Sequence, residues 1–140
     1  MIVVVAVDDG YGMMFNKRRQ SQDEKLREHL LALCSGKRLR MNEYSAKQFA
    51  TSDTGTAELC VDEAFLDKAG IGEYCFVENG SLKPYLASIE KLLVYKWNRK
   101  YPADITLDIR PEEQEFTCTI MEEFVGKSHE KITVEEWRKV

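Results

Sequence analysis

The hydrophobic positions fall into runs of two kinds. IVVVAV, residues 2–7, is continuous and mostly β-branched, the pattern of a strand covered on both faces and central in its sheet. Leu26, Leu30 and Leu33 instead recur at helical spacing, after Ser21-Gln22-Asp23-Glu24 in capping-box form and before Gly36, which predicts a helix over 22–34 with one apolar stripe. Further along, the pattern predicts a short strand over 37–41, one or two helical turns over 45–50, a loop over 51–56 and a strand at 59–61. A short helix over 63–69 follows, capped by Asp62 and ended by Gly70. Tyr74-Cys75-Phe76-Val77 is a second buried strand, running into Glu78-Asn79-Gly80 and a helix start at Ser81, with Pro84 tolerated in the first turn. Strands are expected at 92–97, 105–109 and 116–124, the last alternating as a half-exposed strand does. The end, ITVEEWRKV, reads two ways: Ile132-Thr133-Val134 favours a strand, and Thr133 with Glu136 makes another capping box.

Strands alternate with helices through the first two thirds of the chain and then run together. The expected fold class is α/β, a single domain over 1–140 with a mostly parallel sheet and an antiparallel C-terminal edge. The 2–7 strand is expected at its centre with the Phe76 strand beside it, and the 22–34 helix on one face.

With 44% hydrophobic and 31% charged residues, the composition is that of a soluble globular domain rather than a disordered chain. A net charge of −4 weighs against wholesale nucleic-acid binding. It is unevenly spread: residues 1–50 carry nine Lys and Arg against six Asp and Glu, the remainder eleven against eighteen, so the amino-terminal part suits an anion. Two basic clusters, Lys17-Arg18-Arg19 and Lys37-Arg38-Arg40, are expected close together beside the end of the first strand, where a phosphate, a glutamate tail or an RNA backbone would fit. A solvated basic face is the simpler reading. Cys34, Cys60, Cys75 and Cys118 form no CxxC pair and read as reduced core thiols. MIVVVAVDD has no preceding basic region and ends in two acids after seven residues, so it reads as neither a signal peptide nor a membrane span. The expectation is a cytoplasmic protein with no membrane partner. His29, off the leucine stripe, and His129, in GKSHEK, are expected at the surface. Tyr95, Trp97 and Tyr101 are expected to pack the last part of the sheet.

Taken in order, these segments resemble dihydrofolate reductase over nearly the full chain. The family opens on a central strand like IVAVDxxxGIG, and this chain has VVVAVDDGYGMM. A helix with an acid near its start leads to a strand like GKPVIMGRxTW, here GKRLRMNEYSA. A strand ending in FVIGG, a helix and a strand followed by an aspartate are matched by CFVENGSLKPYLASIEKLLVYKW and PADITLDI.

The resemblance implies an NADPH-dependent reductase of a pterin-like substrate, but two departures weigh on the cofactor. The family's Gly-Arg-x-Thr phosphate turn is here Met41-Asn42-Glu43-Tyr44-Ser45, with an acid for the arginine, and a like charge beside a phosphate lowers affinity. Where the family has a glycine pair against nicotinamide and diphosphate, this chain has Glu78-Asn79-Gly80. The βα unit that carries the adenosine end is also expected to be missing, because residues 50–58 are too few for a strand and a crossover helix. Asn42, Glu43, Ser45, Glu78, Asn79 and Gly80 are therefore degenerate cofactor positions, and no cofactor is expected.

Asp23 matches the family's pterin-binding acid, with Glu24 as the neighbour able to replace it. The competing account is that both favour the positive end of a helix. Together with Arg18 and Arg19 they are expected to line a cleft at the end of the first strand, where charges of both signs suit a zwitterionic or amide-bearing ligand better than a simple anion, and Asp23→Asn is expected to weaken binding while leaving stability nearly unchanged. Three functions follow: a fold relative that has lost NADPH and binds a small ligand or a protein, an active reductase with a reshaped cofactor site, or a metal-dependent hydrolase. The last needs clustered histidine and carboxylate ligands, and the chain has two histidines.

Overall fold

The computed structural model describes residues 1–140. Strand β1, Ile2–Val7, feeds a tight hairpin of β2, Gly12–Phe15, and β3, Arg18–Arg19. The hairpin turn places Asn16 and Lys17 at φ 53° and 62°, the paired left-handed geometry that suits two-residue connections between strands. Helix α1, Glu24–Leu33, leads to β4, Arg38–Met41, then α2, Glu43–Ala46, and a 3-10 turn over Lys47–Phe49. After a loop come β5, Glu58–Val61, α3, Phe65–Lys68, and β6, Tyr74–Phe76. The chain continues through a 3-10 turn, Lys83–Ser88, to β7, Lys91–Lys96, and β8, Ile105–Thr106. It ends in a hairpin of β9, Phe116–Phe124, and β10, Ile132–Lys139.

Seven strands form one sheet in the order β5-β4-β6-β1-β7-β10-β9, and β3-β2-β8 form a smaller one. Strands β5, β4, β6, β1 and β7 are parallel, while β7, β10 and β9 pair antiparallel. On the other side the large sheet ends at β5, and no strand lies between residues 50 and 57. The continuous apolar run of β1 has its physical reason here. Ile2 and Val4 enter one hydrophobic cluster with Leu26 and Leu30 of α1, and Val3, Val5 and Val7 enter a second with Leu92, Val94 and Leu107. Val3, Val4 and Val5 are fully buried, and each such side chain contributes about 1.5–3 kcal/mol on leaving water. The terminal segment is a strand because Val134 and Trp137 pair with Tyr95 and Leu92 of β7, which outweighs its local capping signal.

Three local expectations change. Helix α1 is capped by Asp23, whose carboxylate accepts from Lys25 N, instead of by the Ser21 box, and Leu31 faces the core while Leu33 is 39% exposed. The segment after Ser81 is a 3-10 turn whose first amides, Leu82 N and Lys83 N, donate to Asp108, so the acid that satisfies them comes from a distant loop. Only Ile105–Thr106 of the expected 105–109 strand is paired, because Leu107 and Ile109 turn into the second cluster.

Candidate functional site

In a parallel sheet, ligands lie beyond the carboxyl ends of the strands. The ends of β1, β6 and β4 meet there, and each carries a polar residue. Asp8, directly after β1, is buried and accepts from Gly12 N at 2.7 Å, Gly10 N at 2.9 Å, Tyr101 N at 3.1 Å and Gln20 Nε2 at 3.2 Å. These contacts tie the loop after β1 to the segments that follow β3 and β7. A Cβ on Gly12 would stand 2.5 Å from Gln20 Nε2 and 2.9 Å from Asp8 Oδ1, so the loop needs glycine there. Asp8 is not among the residues expected from the sequence, although an acid closing a buried strand is a local signal of such a role.

Glu78, beyond β6, is 8% exposed and carries the charge at the end of that strand. Its carboxylate accepts from Arg19 in a two-point arrangement, Nε to Oε2 at 2.8 Å and Nη2 to Oε1 at 3.1 Å. Ser45 Oγ adds a bond of 2.8 Å and Gln48 Nε2 one of 3.2 Å. The guanidinium lies 4.4 Å from the ring centre of Tyr44, whose hydroxyl accepts from Arg19 N. Residues from β3, α2 and the end of β6 are thus tied into one buried, charge-neutral knot.

At the end of β4, Asn42 caps α2 by accepting from Ser45 N and reaches across to Asn79, 3.2 Å away. Glu43 N donates to the Glu63 carboxylate at 2.9 Å. A Cβ on Gly80 would make only ordinary contacts with Val77 and Leu66, and the residue has no left-handed φ, so this glycine is not required by local geometry.

Asp23 stands elsewhere. Its side chain is fully buried beneath the 126–129 turn and accepts from Lys25 N, Lys127 N and Ser128 N at 2.8–2.9 Å and from Ser128 Oγ at 3.4 Å, and it meets His129 Nδ1 at 2.7 Å. Burial alone would raise its pKa, but the His129 hydrogen bond and the three amides outweigh this and hold the carboxyl well below the usual carboxylate range. Asn cannot reproduce this arrangement, so the expected neutrality of Asp23→Asn does not stand. Glu24 is exposed and paired with Lys127, and it lines a separate small cleft with Arg27, Thr51 and Asp53. The four residues expected in one cleft are therefore divided. Arg18 and Arg19 line a cleft of about 270 Å³ with Phe15, Gln20 and Tyr101, and Asp23 and Glu24 do not.

The histidines also differ from expectation. His129 is 5% exposed, stacks on Trp97 with ring centres 4.4 Å apart, and holds Ser21 Oγ at 2.8 Å and Tyr101 OH at 3.3 Å from its Nε2. His29 is partly buried, bonded through Nδ1 to Tyr95 OH at 2.7 Å and stacked on Phe124. Both partners come from distant strands, which local polarity did not reveal. The basic clusters separate as well. Arg40 and Arg38 pair with Glu73, before β6, while Arg19 pairs with Glu78 after it. The Arg40 hydrogen bond is the main cause that takes the Glu73 carboxyl down to about 2. No group of three or more His, Cys, Asp and Glu side chains is placed to hold a metal ion. No helix is long and apolar enough to cross a membrane.

No protein-family model matches the chain, and no curated protein matches it. In three dimensions it is similar to dihydrofolate reductase from Enterococcus faecalis complexed with NADP(H) and RAB-propyl, with a TM-score of 0.66 over 98% of this chain and 94% of that one, at 9% identity. The chain has a dihydrofolate reductase-like α/β fold.

Proposed function

We propose that this protein is a dihydrofolate reductase-fold binding domain that has given up NADPH and takes a small anionic ligand in the Arg18–Arg19 cleft. The observation that carries the reading is the Arg19–Glu78 knot. A diphosphate at the end of β6 would meet a buried carboxylate, and the arginine that would offset it already commits its Nε–Nη2 edge to that carboxylate. The neighbouring donors support the same reading, since Glu43 N is taken by Glu63 and Ser45 N by Asn42. The residues present therefore do not fit the cofactor's phosphates. The cleft beside them offers Arg18, exposed and without an acidic partner, in a lining that also holds Phe15 and Tyr101 and suits a small anion with a flat apolar part. Reduced cysteines suit a cytoplasmic setting for such a protein.

Titration with NADPH, followed by quenching of tryptophan fluorescence, tests the reading. No saturable binding is expected at cellular cofactor levels. A dissociation constant of about a micromolar or tighter, near −8 kcal/mol, overturns it and makes an active reductase the leading alternative.

A further inference from the structure

The turn that buries Asp23 also brings three groups into line: Ser21 Oγ lies 2.8 Å from His129 Nε2, and His129 Nδ1 lies 2.7 Å from Asp23 Oδ2. We propose that Ser21, His129 and Asp23 form a nucleophile–base–carboxylate triad and that Ser21 is acylated by small carboxylic esters. The inference goes beyond ligand binding and does not depend on whether NADPH binds.

The roles follow from the positions. Asp23 is buried and takes only the acceptor part, so the imidazole proton resides on Nδ1 and the Nε2 lone pair faces two hydroxyls, of which Ser21 Oγ at 2.8 Å is nearer than Tyr101 OH at 3.3 Å. Three backbone amides on the Asp23 carboxylate fix its orientation, and Trp97 stacked on the imidazole fixes the ring plane. This is the arrangement in which a hydroxyl becomes nucleophilic: a base within hydrogen-bond reach, itself oriented by a third group. Ser21 is partly exposed, whereas His129 and Asp23 are covered, so the one group that must meet substrate is the one solvent reaches. The backbone N–H groups of Ser21 and Gln22 are bonded to no other group of the chain, which leaves donors beside the nucleophile for an oxygen that gains charge. Ser21 and His129 do not themselves line the 270 Å³ cleft, but two of its lining residues adjoin them: Gln20 precedes Ser21 in the chain, and Tyr101 OH lies 3.3 Å from His129 Nε2.

In the reaction, Ser21 Oγ bonds to the ester carbonyl carbon while its proton passes to His129 Nε2. The bond to the leaving alcohol breaks, and the alcohol oxygen takes that proton. Water then attacks the acyl-serine by the same route, releasing the acid and restoring the hydroxyl.

The test treats the full chain with a fluorophosphonate probe, locates the adduct by peptide mass mapping, and follows p-nitrophenyl acetate hydrolysis in parallel. One adduct is expected, on Ser21. It is lost in Ser21→Ala and retained in Ser52→Ala, and ester hydrolysis falls at least about a hundredfold in Ser21→Ala alone. Labelling of Ser21 in the urea-unfolded chain is expected to be slower by a similar factor. The proposal is overturned if the folded protein takes no label, if the label sits on another residue, or if folded and unfolded chains react equally. NADPH titration reads a different site, so the two conclusions stand or fall separately.

Discussion

Arg19 and Glu78, 59 residues apart in the chain, meet as a two-point ion pair at the end of β6, with side chains only 17% and 9% exposed. Removing one partner strands the other charge in a desolvated place. Arg19→Ala is expected to cost about 3–5 kcal/mol in urea unfolding, and Arg19→Met with Glu78→Leu to be less destabilised than either single change. A loss below about 0.5 kcal/mol in Arg19→Ala, the level of an exposed pair, contradicts a buried knot.

Asp23 sets the acid limb of stability. An unfolded Asp titrates near 3.9 by the usual reference, and the folded carboxyl lies well below that, so on acidification the unfolded chain binds the proton first. The stabilisation is full above about pH 5 and is lost as pH falls through about 4 towards the folded value. Asp23→Asn places an amide against the donors of Lys127, Ser128 and His129. It is expected to lose about 2–4 kcal/mol at neutral pH, the deficit shrinking below about pH 4. Urea unfolding of both proteins at a series of pH values checks this; a constant gap contradicts it.

Gly12→Ala puts a methyl group against Gln20, Ala103 and Asp8 at distances no relaxed Cβ adopts. The loop that Asp8 organises must shift, at about 1–3 kcal/mol of stability. Gly80→Ala, where the contacts are ordinary, serves as the comparison and is expected to change thermal stability far less.

Tyr95 is fully buried, and His29 Nδ1 lies 2.7 Å from its hydroxyl. Tyr95→Phe keeps the packing and leaves the imidazole without that bond, so a cost of about 1 kcal/mol is expected. Calorimetry reads it as a fall in Tm of roughly 3–6 °C for a domain of this size. An unchanged Tm means that His29 finds solvent instead.

The sequence by itself determined the elements whose signal is local and repeated. The unbroken run of β1 required cover on both faces, the 3.6-residue spacing of Leu26 and Leu30 required a helix, and the order of segments carried the likeness to dihydrofolate reductase. Tertiary structure decided whatever depends on a distant partner. Residues 132–139 became a strand because β7 offered a ladder, and Asp108 rather than Ser81 satisfied the amides at the start of the Lys83–Ser88 turn. His129 left the expected surface because Asp23, Trp97 and Ser21 surround it, two of them more than 100 residues away in the chain. Asp23 and Glu24 are neighbours of the same charge type, yet one is buried and multiply bonded and the other solvated. A buried charge is stable only where donors converge on it, and the convergence of Lys127, Ser128 and His129 on Asp23 is set by how the 126–129 turn closes over the helix, which no local pattern encodes.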